Sequence, residues 1–502
     1  MSDTTTAPPA EGEGRTELKR VMGPKLLLLF IVGDILGTGV YALTGDVAAE
    51  VGGAAWAPFL VAFAVAMVTA FSYLELVTKY PQAAGAALYA HKAFGIHFLT
   101  FIIAFTVMCS GITSASTASR AFASNFAKGF GMDDKNTMLI LGIALAFMLL
   151  IALVNLRGVG ESVKANIVLT LVELSGLLLV IMVGFWAIFG GQGDLSRTVV
   201  FQSPGDKSAF FAVTAATSLA FFAMVGFEDS VNMAEETKDP VRIFPRMMIT
   251  GISVTGVIYV LIAICSVALV PVGVLADSDT PLVTVVETAA PGIPVEQVLP
   301  FISLFAVANS ALINMLMASR LLYGMARQAV LPPFLGKVHR TRRTPYAAIL
   351  FTTALSVAVI VYVSQASSDA VALLGGTTSL LLLGVFTIVN ICVLVLRRRD
   401  TDRDRVRTDL DGNPLNDEEP EIDPHHFRTP TVLPVIGALA CAYLATPWAG
   451  RPTEQYKIAG VLLAIGVVLW GVTVLINKRT GADVPAFDPG ALTGEGPSGP
   501  KN

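Results

Sequence analysis

Four acidic residues lie inside long apolar stretches of this 502-residue sequence: Asp34, Glu173, Glu228 and Asp229. A charged side chain at the centre of a lipid bilayer costs at least ~2.5–3.5 kcal/mol, so such groups usually face a cavity and mark function. A carboxyl group in that position can bind a proton, bind another cation or meet an amine. The alternative is a structural hydrogen bond to a free helix end, and we favour that interpretation for Glu228.

The first apolar stretch also has an unusual density of glycine. Gly37-Thr38-Gly39 follows shortly after Asp34. Each glycine weakens a helix by roughly 1 kcal/mol relative to alanine. Glycine also allows close helix packing in membranes, but this density predicts an unwound segment. Backbone N–H groups freed there suit an anion such as a carboxylate.

The sixth apolar stretch is interrupted in a similar way. Gly226 lies in its middle and is followed by Phe227, Glu228 and Asp229. Carbonyl groups freed by a break here would suit an ammonium group. Interrupted helices at corresponding positions of two halves are the best sequence indication of a transporter's binding site. No residue-level repeat is visible between the halves, so position alone indicates the symmetry.

The composition places these stretches in a membrane. The chain is 54% hydrophobic and 14% charged, with a mean hydropathy of +0.68, whereas soluble domains carry roughly 25% charged residues. Apolar runs of about 20 residues, long enough to cross the bilayer as helices, recur along the chain. The net charge of −4 indicates no nucleic-acid partner. The four cysteines all lie in apolar runs, and the sequence predicts no disulfide, no metal site and no cofactor.

The sequence predicts an all-α protein with about twelve membrane-spanning helices. The approximate spans are residues 25–45, 54–78, 96–124, 137–156, 164–190, 207–235, 244–270, 295–320, 345–364, 369–396, 431–449 and 456–477. The predicted organisation is a disordered tail (1–24), a ten-helix core (25–396) in two halves (25–190 and 207–396), a polar linker (397–429), helices eleven and twelve (430–477) and a second disordered tail (478–502).

The basic residues predict the orientation, because cytoplasmic loops of membrane proteins are enriched in lysine and arginine. With the N-terminus inside, seven of the 34 basic residues lie on the opposite side: Arg120, Lys128, Lys135, Arg197, Lys207, Arg451 and Lys457. The other 27 are cytoplasmic. We therefore expect a multi-pass protein of the cytoplasmic membrane with both termini in the cytoplasm.

Four motifs in order resemble the amino acid–polyamine–organocation (APC) superfamily. They are the first-span stretch 31–41, the stretch 80–86 (YPQAAGA), the stretch 221–245 containing Gly226-Phe227-Glu228, and residues 319–332 with Thr344-Pro345. The resemblance covers about residues 20–480. It implies a LeuT-type fold: a 5+5 inverted repeat with broken helices one and six, plus two extra helices.

The resemblance also implies a substrate site at the two breaks. The N–H groups of Thr38 and Gly39 would hold a substrate carboxylate, and Phe222 and Phe227 would select substrate size. The alternative for these aromatic residues is lipid or core packing, which we favour for Phe227. The carbonyl groups of four residues would hold the amino group: Ile35, Phe222, Ala223 and Val225. Gly37 and Gly226 complete the predicted substrate-binding set.

The predicted function is secondary active transport of an amino acid or related amine, coupled to protons. Some proton-coupled relatives have a lysine in helix five near the place of Glu173, so Glu173 is the first coupling candidate, with Asp34, Asp229 and Glu228 as the others. Sodium coupling, exchange, uniport and a transporter-like sensor remain alternatives. A major-facilitator carrier is disfavoured because its loop motif after the second span is missing. A membrane enzyme is disfavoured because the five histidines lie near interfaces or in loops.

Overall fold

The computed structural model describes residues 20, 22–82, 85–133, 135–157, 162–203, 208–234, 236–291, 295–340, 342, 344–367, 369–406 and 426–480. Over these residues the chain is built from α-helices and short 3-10 turns. The helices are α1 (Pro24–Ile35), α2 (Thr38–Val51), α3 (Trp56–Lys79), α4 (Gly85–Phe94), α5 (His97–Gly129), α6 (Thr137–Arg157), α7 (Ser162–Phe189), α8 (Ala209–Ala220), α9 (Pro240–Leu269), α10 (Val272–Ala276), α11 (Pro281–Ala289), α12 (Val295–Arg327), α13 (Tyr346–Ala366), α14 (Ala370–Val406), α15 (Val432–Leu444) and α16 (Thr453–Thr480).

The predicted multi-pass helical architecture is confirmed, although twelve spans are not all accounted for. Within the described chain, ten helical segments are long and apolar enough to cross a membrane, and the bent pair α1 and α2 makes an eleventh. The remaining predicted span, 431–449, corresponds to α15, which has only 13 residues.

Several boundaries differ from the sequence prediction. Helices α4, α10 and α11 lie in segments predicted as loops, because each is too short for a spanning run of apolar residues. Helix α14 continues to Val406, beyond the boundary drawn at 397. Its end is held by two ion pairs to α3, Lys79 with Asp400 and Glu75 with Arg397. Met22, which lies within the segment predicted as a tail, is buried. Most of both predicted tails and residues 407–425 of the linker lie outside the described residues.

The first and sixth spans are interrupted near the glycines. Between α1 and α2, Leu36 and Gly37 are extended, and the two helices meet at an angle of 40°. In the sixth span, α8 ends at Ala220 and gives way to the 3-10 turns Phe221–Met224 and Asp229–Met233. Gly226 lies between these turns with φ of +124°, a conformation that side chains rarely allow.

The long helices pack in a recurring pattern. Helix α5 packs on α12, α3 on α9, and α6 on α13. Helix α1 lies against α7 and α9, while α8 lies against α14 and α3. Helices α15 and α16 pack on the outside of α14. The two broken spans therefore lie among long continuous helices, which hold them in place.

The segment before α1 is tied to the segment after the sixth span. The Met22 N–H donates to the carbonyl of Glu236 at 3.0 Å, and the Lys238 N–H donates to the carbonyl of Met22 at 2.9 Å. Met22 is 1% exposed. This pair of bonds joins the start of one broken span to the chain that leaves the other.

Candidate functional site

The two interrupted spans touch each other through their backbones. A Cβ atom on Gly39 would lie 2.5 Å from the Cα of Ala223, in the turn after α8. A Cβ atom on Gly226 would lie 2.5 Å from the carbonyl oxygen of Asp34 and 2.9 Å from the backbone nitrogen of Ile35. Contacts this close leave no room for a side chain, so glycine is required at both positions. Both glycines belong to the site predicted from the sequence, and each lies at the contact between the two spans.

Helices α12 and α9 contact the first break from two sides. A Cβ atom on Gly37 would lie 2.7 Å from the Ser310 hydroxyl oxygen of α12. The Tyr259 hydroxyl of α9 donates a hydrogen bond of 2.7 Å to the carbonyl of Ile35. One lone pair of that carbonyl is therefore already used inside the protein. Thr38 is buried beside it, and its hydroxyl makes no hydrogen bond with any described residue.

A partly open cavity lies directly after the second break. Its empty space is about 430 Å³, including solvent at the mouth. Its walls come from α5, the sixth span after the break, α12 and α14. The lining residues are Val107, Ser110, Gly111, Ser114, Val225, Glu228, Asp229, Asn232, Asn314, Met317, Ala318, Leu321, Thr378 and Leu382.

The ionisable side chains of this cavity are acidic. Two lining residues are acidic, Glu228 and Asp229, and none is basic. The Glu228 carboxylate accepts a hydrogen bond of 2.8 Å from the Gly226 N–H, which anchors it beside the break. This agrees with the interpretation favoured from the sequence, a bond to a free helix end, and it places the same carboxylate on the cavity wall. Charge of one sign in a cleft with low-dielectric walls raises the local concentration of the opposite charge, so carboxylates ionised on this wall would attract cations.

Glu173 lies away from the cavity, in the interior. It is 0% exposed, and neither of its carboxyl oxygens makes a hydrogen bond with any described residue. The Tyr41 hydroxyl of α2 donates to its backbone carbonyl at 3.2 Å, and α7 packs against α1. One carboxyl oxygen of Asp34 in α1 is likewise buried without a bond to the described chain. Glu173 therefore contacts the first broken span, although it does not line the cavity.

The two candidate phenylalanines have different surroundings. Phe227 is fully buried, with ring centroids 5.7 Å from Tyr73 and 5.4 Å from Phe386, and it is not part of the cavity lining. Phe222 is 6% exposed and lies beside Gly375 of α14, whose Cβ would be 3.2 Å from the ring. Phe222 lies beside the breaks, so its role in size selection remains a prediction. Phe227 packs in the core instead.

Sequence reasoning missed most of the polar cavity wall. Ser110 and Ser114 of α5, Asn314 of α12 and Thr378 of α14 all line it. A signal for α5 was present, since residues 110–119 contain six hydroxyl-bearing side chains within an apolar span. For α12 and α14 the polar residues are isolated, and only their spatial neighbours reveal them.

Comparison with known families settles the class of protein. A model of a family described as amino acid permease matches residues 24–473. This chain belongs to that family. The branched-chain amino acid permease BcaP of Bacillus subtilis (strain 168) is 26% identical over 415 residues, covering 79% of this chain and 85% of the relative. The methylthioribose transporter of the same organism is 26% identical over 473 residues, covering 90% and 91%. The vacuolar cationic amino acid transporter 4 of Arabidopsis thaliana is 26% identical over 505 residues, covering 95% and 79%.

The amino acid permease family and the apolar helices together make this chain a multi-pass membrane transporter rather than an enzyme. The predicted APC membership is thereby confirmed. The glycines and the stretch around Gly226 that carried the resemblance all fall within the matched residues.

Proposed function

We propose that this permease carries amino acids or related amines across the cytoplasmic membrane by alternating access, as a proton-coupled secondary transporter. The observation that carries the proposal is the acidic cavity beside two broken spans in backbone contact. A substrate with a carboxylate and an amino group needs donors at one end and acceptors at the other. Unwound helix segments supply both kinds of group.

The helix packing supports a 5+5 repeat with α15 and α16 as the extra pair. Counting α1 and α2 as helix one and the sixth span as helix six, equivalent helices pack on each other: α3 on α9, α5 on α12 and α6 on α13. Non-equivalent pairs also recur in both halves. Helix α1 packs on α7 as α8 packs on α14, and α5 packs on α6 as α12 packs on α13.

In this proposal the substrate lies alongside the contact between the two breaks, because the contact itself leaves no room. The N–H groups of Thr38 and Gly39, at the first turn of α2, hold the carboxylate, because a helix start carries free donors and a partial positive charge. The carbonyls of Phe222, Ala223 and Val225 receive the amino group, with Ile35 contributing only the lone pair that Tyr259 leaves free.

The acids on the cavity wall favour substrates with an additional positive charge. Some relatives are named as cationic amino acid transporters and another as a branched-chain permease. An aliphatic substrate would gain nothing from Glu228 and Asp229 at the cavity, whereas a cationic side chain would pair with them. We therefore infer a preference for cationic amino acids or amines.

Glu173 is the proposed proton-coupling residue. A neutral carboxyl can donate a hydrogen bond, and a charged one cannot. A change of protonation next to the first broken span would therefore favour one packing of α7 and α1 over another. Sodium coupling, exchange, uniport and sensing are the alternatives that the experiment below separates.

Both termini lie in the cytoplasm in this proposal.

The test is uptake of labelled amino acids and amines into proteoliposomes. Lysine, arginine, ornithine, leucine, valine and a diamine would be compared with and without an inward proton gradient, and with sodium as the only gradient. Accelerated uptake of cationic substrates in the proton gradient is the expected result. Equal uptake without any gradient would indicate uniport, and uptake only into liposomes loaded with substrate would indicate exchange. Binding without flux would leave a sensor.

A further inference from the structure

A buried arginine joins the extra helix pair to the sixth span. Arg451 lies between α15 and α16 and is 7% exposed. Its guanidinium group makes five hydrogen bonds: with the carbonyls of Leu444 (2.6 Å), Gly376 (2.8 Å) and Ser218 (3.2 Å), with Gln455 Oε1 (2.9 Å) and with Ser379 Oγ (2.9 Å). These partners belong to α15, α14, α8 and α16, so one side chain contacts four helices.

No acidic side chain of the described chain pairs with this cation. Its charge is compensated instead by two helix ends: Leu444 is the last residue of α15, and Ser218 lies in the last turn of α8. The carboxyl-terminal end of a helix carries a partial negative charge of roughly half an electron. All five N–H donors are satisfied, which is the condition for keeping a charged group buried. Arg451 therefore depends on the present arrangement of α8 and α15.

A direct hydrogen bond also joins α8 to α14 beside Arg451. The Ser379 hydroxyl of α14 donates to the Ser218 carbonyl of α8 at 2.6 Å, so Arg451 and Ser379 share that acceptor. Gly375, one residue before the carbonyl that Arg451 holds, contacts Phe222. Arg451 thus binds α14 next to the residue that lies beside Phe222, in the turn at the break of the sixth span.

The cavity and the arginine lie on different halves of the sixth span. The part of the sixth span that lines the cavity is residues 225–232, at and after the break, whereas Arg451 binds the carbonyl of Ser218, before it. We propose that Arg451 is a positioning residue that holds α8 against α14 and keeps the contact between these two helices closed. This rests on the proposed alternating access. Moving α8 away from α14 would break the bonds of Arg451 to one of these two helices, so Arg451 opposes that opening.

The test measures how often the α8–α14 contact opens. Ser218→Cys places a thiol at the contact itself, where Ser218 is 2% exposed, and it keeps the backbone carbonyl that Arg451 and Ser379 bind. Its rate of labelling by a membrane-impermeant maleimide is measured in proteoliposomes, against the parent chain, whose four cysteines are buried. The same reporter is then combined with Arg451→Gln, with Arg451→Lys and with Lys457→Gln. Lys457, six residues further along the chain in α16, has a side chain that is 61% exposed, and its removal is the matched control for loss of a positive charge.

Arg451→Gln is expected to raise the labelling rate about tenfold or more, because each lost hydrogen bond to a charged group shifts an equilibrium by about that factor. Arg451→Lys keeps the charge but not the five-donor fork, and is expected to give an intermediate rate. Lys457→Gln is expected to match the reporter alone. A folded Arg451→Gln variant labelled at the control rate overturns the proposal. If that variant elutes as aggregate, Arg451→Lys decides, and labelling at the control rate again overturns it. The readout needs no substrate, so failure of every uptake assay would leave it interpretable.

Discussion

Replacing Gly39 by alanine tests whether the two broken spans must touch for the substrate to bind. The added Cβ atom would lie 2.5 Å from the Cα, 2.7 Å from the Cβ and 2.9 Å from the nitrogen of Ala223. These are backbone atoms and the one carbon attached to them, so no side-chain rotation relieves the clash. Residue 39 or residue 223 has to move.

The required movement sets the size of the effect. Ordinary contact of a Cβ atom begins at 3.4 Å, so the two segments must separate by about 1 Å. Inserting an extra methyl group into a packed interior costs about 1–3 kcal/mol, which corresponds to roughly a 5- to 150-fold loss in an equilibrium constant. Since both segments supply backbone groups to the proposed site, we expect substrate affinity to fall by this factor.

A graded series of glycine variants makes the measurement specific. Gly142→Ala in α6 has nothing within 4 Å of the new atom and is the control, while Gly37→Ala meets only the movable Ser310 hydroxyl. Dissociation constants of the best substrate, measured on detergent-purified protein with a single size-exclusion peak, are expected to worsen in the order 142, 37, 39. A Gly39→Ala protein that binds as tightly as Gly142→Ala would refute the reasoning, as would a Gly37→Ala protein more damaged than Gly39→Ala.

Three further predictions concern coupling, substrate charge and orientation. Glu173→Gln mimics the protonated carboxyl and is expected to keep substrate binding and exchange but to lose acceleration by an inward proton gradient; full gradient-driven uptake would instead direct attention to Asp34. Asp229→Asn removes one cavity charge and is expected to weaken arginine or lysine uptake by about tenfold while leaving neutral amino acids unchanged, in line with the strength of a charged hydrogen bond; an equal loss for both classes would contradict the assigned role. Both Arg398 and Lys457 are exposed. Arg398→Cys is expected to react with a thiol reagent only from inside the cell, and Lys457→Cys only from outside. The reverse pattern would invert the proposed topology.

The breaks were predictable from the sequence because they depend on residue type alone. Gly39 and Gly226 lie where any Cβ would strike the opposing backbone, and Gly226 also has φ of +124°. Closely spaced glycines in an apolar span therefore indicate such a contact. The long spans were predictable for a related reason, since the bilayer demands about 20 apolar residues for each.

What the sequence could not provide is the set of neighbours across the fold. In the sequence, Glu173, Glu228 and Asp229 are all acidic residues within apolar stretches. Only the structure shows that Glu228 and Asp229 line the cavity and that Glu173 lies in the interior. For Phe227 the sequence favoured packing without indicating the partners, and the structure shows them to be Tyr73 and Phe386. Short helices such as α10 are not predicted from the sequence, because five residues contain little more than one turn of periodic pattern.

The bonds of Met22 decide how this chain can be shortened or fused for expression. Both hydrogen bonds to the segment after the sixth span use the backbone of this one residue, which stands two positions before the start of α1. A cut placed before Arg20 keeps both bonds, and a tag joined there leaves Met22 in its place. A cut placed after Met22 removes both and leaves the Glu236 carbonyl and the Lys238 N–H to water, so shortened versions should begin upstream of it.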